Sequence, residues 1–213
     1  MEKKMNFYEF CDIIEKLRAP GGCPWDREQT HKSLATCLLE EEYEANDAID
    51  EGDPMKMADE LGDVLLQVVM HAQIGKEEGT FTIDDVTDAV SRKMIERHPH
   101  VFGDVSVKNS DEVLDNWEKI KKSQRGQKTV YEAMESVTKS LPSLSRATKV
   151  IGKASKAKLY SPECNEKFTG EEIGEQLFKI CAISYQNGVD PEAELALFTK
   201  KFIKKFKNIE ENS

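Results

Sequence analysis

Two acidic clusters in this chain have the residue types and the spacing that a metal site needs. The first is Glu40–Glu44 and the second, after fifteen intervening residues, is Glu60–Asp63. In each cluster two carboxylates stand three positions apart, a spacing that puts both on one face of an α-helix. The two pairs are Glu41 with Glu44 and Glu60 with Asp63. Two such helices packed together would gather four negative charges in one place.

Four clustered carboxylates need a counter-ion. Repulsion between two unit charges about 6 Å apart is roughly 3 kcal/mol at an effective dielectric constant near 20. A divalent cation removes that repulsion, and a site built only from oxygen ligands favours Mg²⁺, Mn²⁺ or Ca²⁺ over zinc. The sequence therefore predicts a divalent-cation site formed by the two acidic helices.

The segments that contain these clusters have the apolar periodicity of helices. Over residues 34–49 and 55–74, apolar side chains recur at the spacing of one helix face. The side chains that we expect to be buried are Leu34, Cys37, Leu38, Ala45, Ala48 and Ile49 in the first segment, and Leu61, Val64, Leu65, Val68 and Ala72 in the second. The acidic pairs fall beside these apolar stripes, so we expect them to face an interior site.

The rest of the chain is also helical in pattern, which predicts an all-α fold. Apolar spacing predicts helices over 7–17, 84–97 and 110–124, with Gly- and Pro-rich turns between the front segments. Thr82, followed by two aspartates, is typical of a helix start. The short polar stretch 124–128 is a candidate hinge.

Charge and composition restrict the class of partner. The net charge is −10, with a balance of −13 over residues 1–137 and +3 over 138–213. A body this acidic is unsuited to holding duplex DNA or RNA by phosphate neutralisation, so we expect no stable nucleic-acid binding. A bound cation can still bring a single polyphosphate into an acidic pocket, because its charge reverses the local field.

Composition also indicates the compartment. No apolar run approaches the roughly 18 residues of a membrane span, and the first residues lack the apolar core of a secretion signal. The five cysteines are scattered and form no CxxC pattern, which is typical of reduced thiols and not of a disulfide framework or a zinc site. We predict a cytoplasmic protein with no membrane contact.

The second half of the chain repeats the first in weakened form. The segment Glu60–Asp63 is echoed by Glu172–Glu175, and Lys93–Arg97 is echoed by Lys201–Lys205. Two echoes in the same order indicate a degenerate duplication. The second copy has no counterpart of the first acidic helix, and two carboxylates alone bind Mg²⁺ poorly, so we predict that it holds no metal.

An ordered set of motifs resembles the MazG family of nucleoside triphosphate pyrophosphohydrolases. The set comprises Cys23-Pro-Trp-Asp26, the two acidic clusters described above, His98-Pro-His-Val-Phe102, and Trp117 with Lys121. The resemblance covers residues 10–125 almost without a break and is weaker over 139–206. An EExxE motif alone is common in helical proteins, whereas the ordered set is highly specific.

The resemblance implies a helical bundle that assembles as a homodimer. It also implies Mg²⁺-dependent cleavage of an NTP or dNTP at the α–β phosphoanhydride, giving the monophosphate and pyrophosphate, with Mn²⁺ as a substitute ion. By motif position the metal ligands are Glu41, Glu44, Glu60 and Asp63. The substrate contacts are Lys93 and Arg97 at the phosphates, and Trp117 and Lys121 near the base and the phosphate chain.

Hydrolysis also needs a positioned water and a proton acceptor. Glu40, or another carboxylate just outside the metal ligands, is the candidate acceptor, so Glu40 and Glu41 are the predicted catalytic residues. We predict a catalytic domain over residues 1–125, a linker over 126–137, and a non-catalytic second repeat over 138–213.

Two other functions are compatible with the sequence. One is a specialised helical pyrophosphatase that cleaves a single nucleotide, such as a dUTP or phosphoribosyl-ATP type. The other is a non-enzymatic partner-binding protein that has kept the bundle and lost the activity. The retention of every acidic position in the first repeat argues against the second alternative.

Overall fold

The computed structural model describes residues 4–161 and 166–211, and its regular structure over these ranges is entirely α-helical. In chain order the helices are α1 (Phe7–Arg18), α2 (Pro24–Glu28), α3 (Ala35–Glu51), α4 (Pro54–Glu78), α5 (Ile83–Arg97), α6 (Pro99–Phe102), α7 (Ser110–Gln124), α8 (Val130–Glu135), α9 (Ser143–Lys156), α10 (Gly170–Asn187) and α11 (Pro191–Glu211). The predicted all-α class is confirmed. The chain forms two compact units, Met1–Asp104 and Val105–Ser213.

The first unit is built around α4. Helix α3 packs along α4, and α1 and α5 also pack against α4. Its buried apolar core consists of Ile14, Leu34, Val69, Met70 and Ile74. These residues come from α1, α4 and the start of α3, so the core lies toward the C-terminal half of α4. Glu60 and Asp63 lie in the N-terminal half of α4.

The turn between α3 and α4 is determined by three consecutive residues. Helix α3 ends at Gly52, whose φ of 73° is in the left-handed region that favours glycine. The Asp53 side chain then accepts hydrogen bonds from the first free amides of α4, and Pro54 occupies its first helical position. A two-residue turn therefore joins the two acidic helices and holds them side by side.

Arg18 joins three elements of the first unit. Its side chain is buried at the end of α1, where Nε and Nη2 donate to the Glu77 carboxylate of α4 at 3.0 and 2.7 Å. Its Nη1 donates to the backbone carbonyls of Asp26 and Gln29, which flank the end of α2. One guanidinium thus fixes α1 and the loop after α2 against α4.

The second unit packs α8, α9 and α11 together. The buried residues of its core are Met134, Val137, Val150, Ala154, Ile203 and Phe206. Helix α8 lies within the segment 126–137 that the sequence predicts as a linker, and the boundary between the two compact units is at Asp104–Val105. The functional division at residue 125 stays a prediction.

Several side chains that the periodicity assigns to the core are exposed. Leu34, Ala45, Ala48 and Ala72 are buried as predicted, but the expectation is wrong for Leu38, Ile49, Leu61 and Leu65, of which Leu61 is 49% exposed. The physical reason is that helices of the same chain cover only part of the α3–α4 surface.

The structure shows the state of the cysteines and the character of the helices in the described ranges. The cysteines that the structure describes, Cys11, Cys23, Cys37 and Cys181, are free thiols, and Cys164 lies outside the described residues. None of the helices in the described ranges combines the length and the apolar character that crossing a membrane requires.

Candidate metal centre

Three carboxylates from the two acidic helices converge in the first unit. Glu41 of α3 and Glu60 and Asp63 of α4 each offer one oxygen, and these three oxygens all lie within 4.8 Å of one another. All three residues are half-buried. In octahedral coordination at about 2.1 Å, neighbouring and opposite oxygens are about 3.0 and 4.2 Å apart. The trio (Glu41, Glu60 and Asp63) therefore has the donor type and the spacing that a hard divalent cation needs.

The electrostatics of the trio show the repulsion that a cation would relieve. Partial burial raises the pKa of Glu41, and the negative charges of Asp63, Glu44 and Glu60 raise it further. A hydrogen bond from the Gln67 side chain acts in the opposite direction and favours the carboxylate form of Glu41. Without an ion, the fold thus holds like charges close together in a partly desolvated place.

Gln67 is a member of this site that the sequence analysis missed. It is only 6% exposed, its side chain acts as a donor that lowers the pKa of Glu41, and its Oε1 has no hydrogen-bond partner. A buried polar atom left unpaired is uncommon and calls for a ligand or a water. The available signal was spacing, because Gln67 lies four residues after Asp63 and seven after Glu60, on the same face of α4.

Glu44, the fourth predicted metal ligand, and Glu40, the predicted proton acceptor, are placed differently. Glu44 is exposed and does not belong to the trio, although its charge acts on Glu41. Glu40 is also exposed and does not belong to the trio. The structure therefore brings together three of the four predicted ligands.

The predicted substrate-binding residues are divided between the two units. Lys93 is exposed and Arg97 half-buried, one helical turn apart on α5 of the first unit. Trp117 and Lys121 are half-buried on α7 of the second unit. Lys121 Nζ lies 3.6 Å from the Glu118 carboxylate.

The carboxylates of the predicted second repeat have structural roles. Glu172 accepts hydrogen bonds from the backbone and side chain of Thr169, at 2.7 and 2.9 Å, and caps the start of α10. Glu175 pairs with Lys179 one turn further along the same helix at 2.8 Å. Both glutamates are exposed, and neither belongs to a metal-type cluster among the described residues.

Comparison with known proteins identifies the family. A sequence profile of the MazG nucleotide pyrophosphohydrolase domain matches residues 29–102, which contain the trio. The chain is 41% identical to the nucleoside triphosphate pyrophosphohydrolase/pyrophosphatase MazG of Thermotoga maritima, over 96% of this chain and 86% of that protein. The chain belongs to the MazG family. The nucleoside triphosphate pyrophosphohydrolase of Escherichia coli K12 is 37% identical over 93% of this chain and 84% of that protein.

Other MazG relatives differ in how much of their length is matched. The uncharacterized protein YabN of Bacillus subtilis is 42% identical, and this chain spans 48% of its length. A crystal structure of a mazG-related protein from Thermotoga maritima aligns with 54% of this chain and 98% of its own, at 23% identity and a TM-score of 0.47. The MazG profile includes Lys93 and Arg97 and ends before Trp117 and Lys121.

Proposed function

We propose that this chain hydrolyses nucleoside triphosphates or their deoxy forms at the α–β phosphoanhydride, giving a monophosphate and pyrophosphate, with a divalent cation as cofactor. The observation that most directly supports this function is the trio of carboxylate oxygens within 4.8 Å of one another in a MazG-family chain. The relatives from Thermotoga maritima and Escherichia coli carry the name nucleoside triphosphate pyrophosphohydrolase.

The donor set of the trio fits Mg²⁺, with Mn²⁺ as a substitute. Glu41, Glu60 and Asp63 would hold the ion, and Glu44 would join them by a change of side-chain rotamer. When bound, such an ion neutralises phosphate charge and lowers the pKa of a coordinated water. The unpaired Gln67 Oε1 supports the assignment, because a water of the hydrated ion is a suitable donor for it.

The other predicted residues have separate tasks in this proposal. Glu40 accepts the proton of the attacking water, since it neighbours Glu41 in sequence and lies outside the trio. Lys93 and Arg97 neutralise the phosphate oxygens as charge shifts to the leaving group. Trp117 and Lys121 contact the base and the phosphate chain.

A homodimer forms part of the same proposal. Large apolar side chains are exposed on the acidic helices and on α5, and isolated helix faces of this kind need a partner surface. The exposed residues are Leu38, Leu39, Tyr43 and Ile49 on α3, Leu61 and Leu65 on α4, and Val90, Met94 and Ile95 on α5. A second copy of the chain would cover this surface.

The reaction is tested by product analysis in ¹⁸O-labelled water. With Mg²⁺ or Mn²⁺ we expect monophosphate and pyrophosphate, with the label in one of these products according to whether the α- or the β-phosphorus is attacked. With EDTA we expect no turnover. Release of the nucleoside diphosphate and inorganic phosphate would contradict the proposal. Turnover that persists in EDTA would contradict it as well.

The role of the trio is tested by a matched pair of variants. Glu60→Gln removes one charge of the trio, and we expect kcat to fall by about a thousandfold, the scale typical for loss of a group that stabilises the transition state. Glu51→Gln removes the charge of an exposed glutamate of α3 that pairs with Lys56 at 2.7 Å, and it should leave kcat unchanged. Equal kcat values for the two variants would contradict the role of the trio. Absence of turnover in the wild-type chain and in both variants would favour the non-enzymatic alternative.

Substrate choice is tested with a nucleotide panel. Ribo- and deoxyribonucleoside triphosphates of all bases, together with dUTP and phosphoribosyl-ATP, would be compared by kcat/KM for pyrophosphate release. We expect several triphosphates to be cleaved with comparable efficiency. Activity confined to dUTP or phosphoribosyl-ATP would show the specialised type instead.

A further inference from the structure

A basic cavity lies in the second unit. The residues that line it all follow the trio in the sequence. Its volume is about 350 Å³, and it is lined by residues of α7 and α9 together with the start of α8. Cavities of this size commonly hold small molecules. Val130, Ala133 and Ala157 form apolar parts of its wall.

Positive charge is concentrated at this cavity although the whole chain carries −10. The cationic residues that line it are Lys119, Lys122, Lys153 and Lys156, and the charges of Lys121 and Arg125, which do not line it, also act on Lys153. The carboxylates of the wall are Asp115 and Glu118. The four lysines of the wall against its two carboxylates leave an excess of +2, which favours a bound anion.

Lys153 shows that this charge is incompletely compensated. Its side chain is 27% exposed, and burial lowers its pKa, with Lys121, Arg125 and Lys156 lowering it further and Glu118 acting the other way. Glu118 is shared, since one of its oxygens lies 3.8 Å from Lys153 Nζ and the other 3.6 Å from Lys121 Nζ. One carboxylate cannot neutralise two lysines that are themselves partly desolvated.

A structural explanation accounts for only part of this arrangement. Lysines in the last turns of α7 and α9 interact favourably with the negative ends of the helix dipoles. That interaction explains a basic residue at each helix end. It does not explain why lysines of both helices line one cavity and accept mutual repulsion and desolvation there.

We propose that the cavity between α7 and α9 is a binding site for a small polyphosphate anion, such as inorganic pyrophosphate or the phosphate chain of a free nucleotide. Lysine ammonium groups bind phosphate oxygens as point charges and need no fixed geometry, which suits a chain of linked phosphates. Lys121, a predicted substrate contact, does not line the cavity, and none of the lysines that line it has a role in the proposed hydrolysis. The site therefore stands independently of the pyrophosphohydrolase reaction.

The test is a calorimetric titration of the full-length chain with inorganic pyrophosphate in EDTA, so that neither the trio nor turnover contributes. We expect the wild-type chain to bind, and Lys153→Gln/Lys156→Gln to weaken binding by at least about tenfold, the factor expected when charge-assisted hydrogen bonds are lost. Lys139→Gln is the matched control, because Lys139 is exposed in the same unit and, among the described residues, pairs only with Glu135, four positions earlier at the end of α8. Its affinity should equal that of the wild type.

Further titrations identify the source of the ligand and exclude the catalytic cations. Lys93→Gln/Arg97→Gln should bind metal-free pyrophosphate as the wild type does. A nucleoside triphosphate that binds more tightly than pyrophosphate would show a nucleotide site, and equal affinities would show a site for the phosphates alone.

Folding of the lysine variant is checked by thermal unfolding. The metal-free variant should unfold at the same temperature as the wild type or higher, since it loses like-charge repulsion, and pyrophosphate should raise the Tm of the wild type only. Absence of pyrophosphate binding to the wild type, or equal binding by Lys153→Gln/Lys156→Gln, would overturn the proposal. Binding of an acidic peptide without binding of pyrophosphate would overturn it as well.

Discussion

At the scale of residues, the trio is an arrangement that the folded chain does not favour by itself. Its three carboxylate oxygens lie within 4.8 Å of one another, and Glu41 has a raised pKa because it is partly buried among like charges. A protein without a ligand at this place would gain stability by separating these groups. The conflict between local charge and fold is typical of functional sites.

The first prediction concerns Glu41→Gln. A carboxyl group with a raised pKa contributes stability that is fully present below its unfolded-state pKa and is lost as the pH rises through the folded-state value. At pH 7 the wild-type chain has lost that contribution, so the variant in EDTA should be more stable, by less than about 1 kcal/mol because solvent screens a half-buried site.

The measurement is thermal unfolding in EDTA between pH 4 and 8, with Glu51→Gln as the control. The wild-type chain should gain stability relative to Glu41→Gln as the pH falls below 7. Addition of Mg²⁺ should raise the Tm of the wild type and of the control, and not that of the variant. A variant less stable than the wild type at pH 7 in EDTA would show that repulsion at the trio is negligible.

The second prediction concerns Gln67→Leu. Leucine has a similar size and removes both the donor that favours the Glu41 carboxylate and the unpaired buried Oε1. We expect Mn²⁺ affinity to fall by about tenfold to a hundredfold, the range for a group that orients a metal ligand, with no loss of stability in EDTA.

Mn²⁺ binding can be followed by electron paramagnetic resonance of the free ion. The control is Gln73→Leu, since Gln73 is a half-buried glutamine of the same helix that donates to Glu77 at 2.9 Å and does not belong to the trio. Equal Mn²⁺ affinity in Gln67→Leu and the wild type would remove Gln67 from the site.

At the scale of elements, the sequence was informative where the signal is local. The helix predicted over 7–17 is Phe7–Arg18, and the one predicted over 110–124 is Ser110–Gln124. Thr82 begins α5 through a capping box with Asp85, so the predicted helix start is confirmed. These features depend on apolar spacing and on caps within four residues, which a single sequence displays directly.

Contacts between distant elements were not predictable in the same way. Gln67 and Arg18 appear in sequence as ordinary polar residues of amphipathic helices, yet both are at least 90% buried. Their roles come from partners 26 and 59 positions away, Glu41 and Glu77. Pattern analysis predicts which face of a helix is apolar, and it does not predict which polar group finds a buried partner.

The third prediction concerns Arg18→Lys. Lysine keeps the charge but cannot donate at once to the Glu77 carboxylate and to the carbonyls of Asp26 and Gln29. We expect the free energy of unfolding to fall by about 2 kcal/mol, measured by urea denaturation at pH 7. Arg92→Lys is the control, because Arg92 forms an exposed ion pair with Asp88, and it should cause no measurable change.

The pH dependence of this pair gives an independent check. Hydrogen bonds from Arg18 lower the pKa of Glu77, so the stability that the pair supplies is present above the unfolded-state pKa of glutamate and is lost as the pH falls through the lowered value. The difference between the wild type and Arg18→Lys should therefore shrink in acid. A difference that grows below pH 4 would contradict this account.

At the scale of the whole molecule, the two compact units have opposite charge. Residues 1–104 carry 11 Lys and Arg against 24 Asp and Glu, a balance of −13, and residues 105–213 carry 19 against 16, a balance of +3. The acidic unit contains the trio, and the second unit contains the basic cavity. The proposed cation site and the proposed pyrophosphate site of the basic cavity are thus in different units of one chain.

The apolar faces of α3 and α4 contain residues that the sequence pattern predicts to be buried but that are exposed in one chain. The apolar periodicity predicts that Leu61 and Leu65 are buried in a core. Both are exposed in one chain, so the rest of this chain does not bury them. The pattern and the structure are reconciled if the missing part of the core belongs to a second copy. The trio, in contrast, is complete within one chain.

The fourth prediction follows from this difference. Leu65→Lys puts a charge on the exposed apolar face of α4 and adds no negative charge near the trio. We expect the wild type to be a dimer and the variant a monomer at micromolar concentration, measured by sedimentation velocity, because a buried unpaired charge opposes association. Leu159→Lys, at a leucine of the second unit that is 43% exposed, should remain dimeric.

The monomeric variant should still bind Mn²⁺, since all three carboxylates come from one chain. A wild type that stays monomeric, or a Leu65→Lys variant that stays dimeric, would exclude this face as the interface, whereas loss of Mn²⁺ binding in a folded monomer would show that a second copy completes the site.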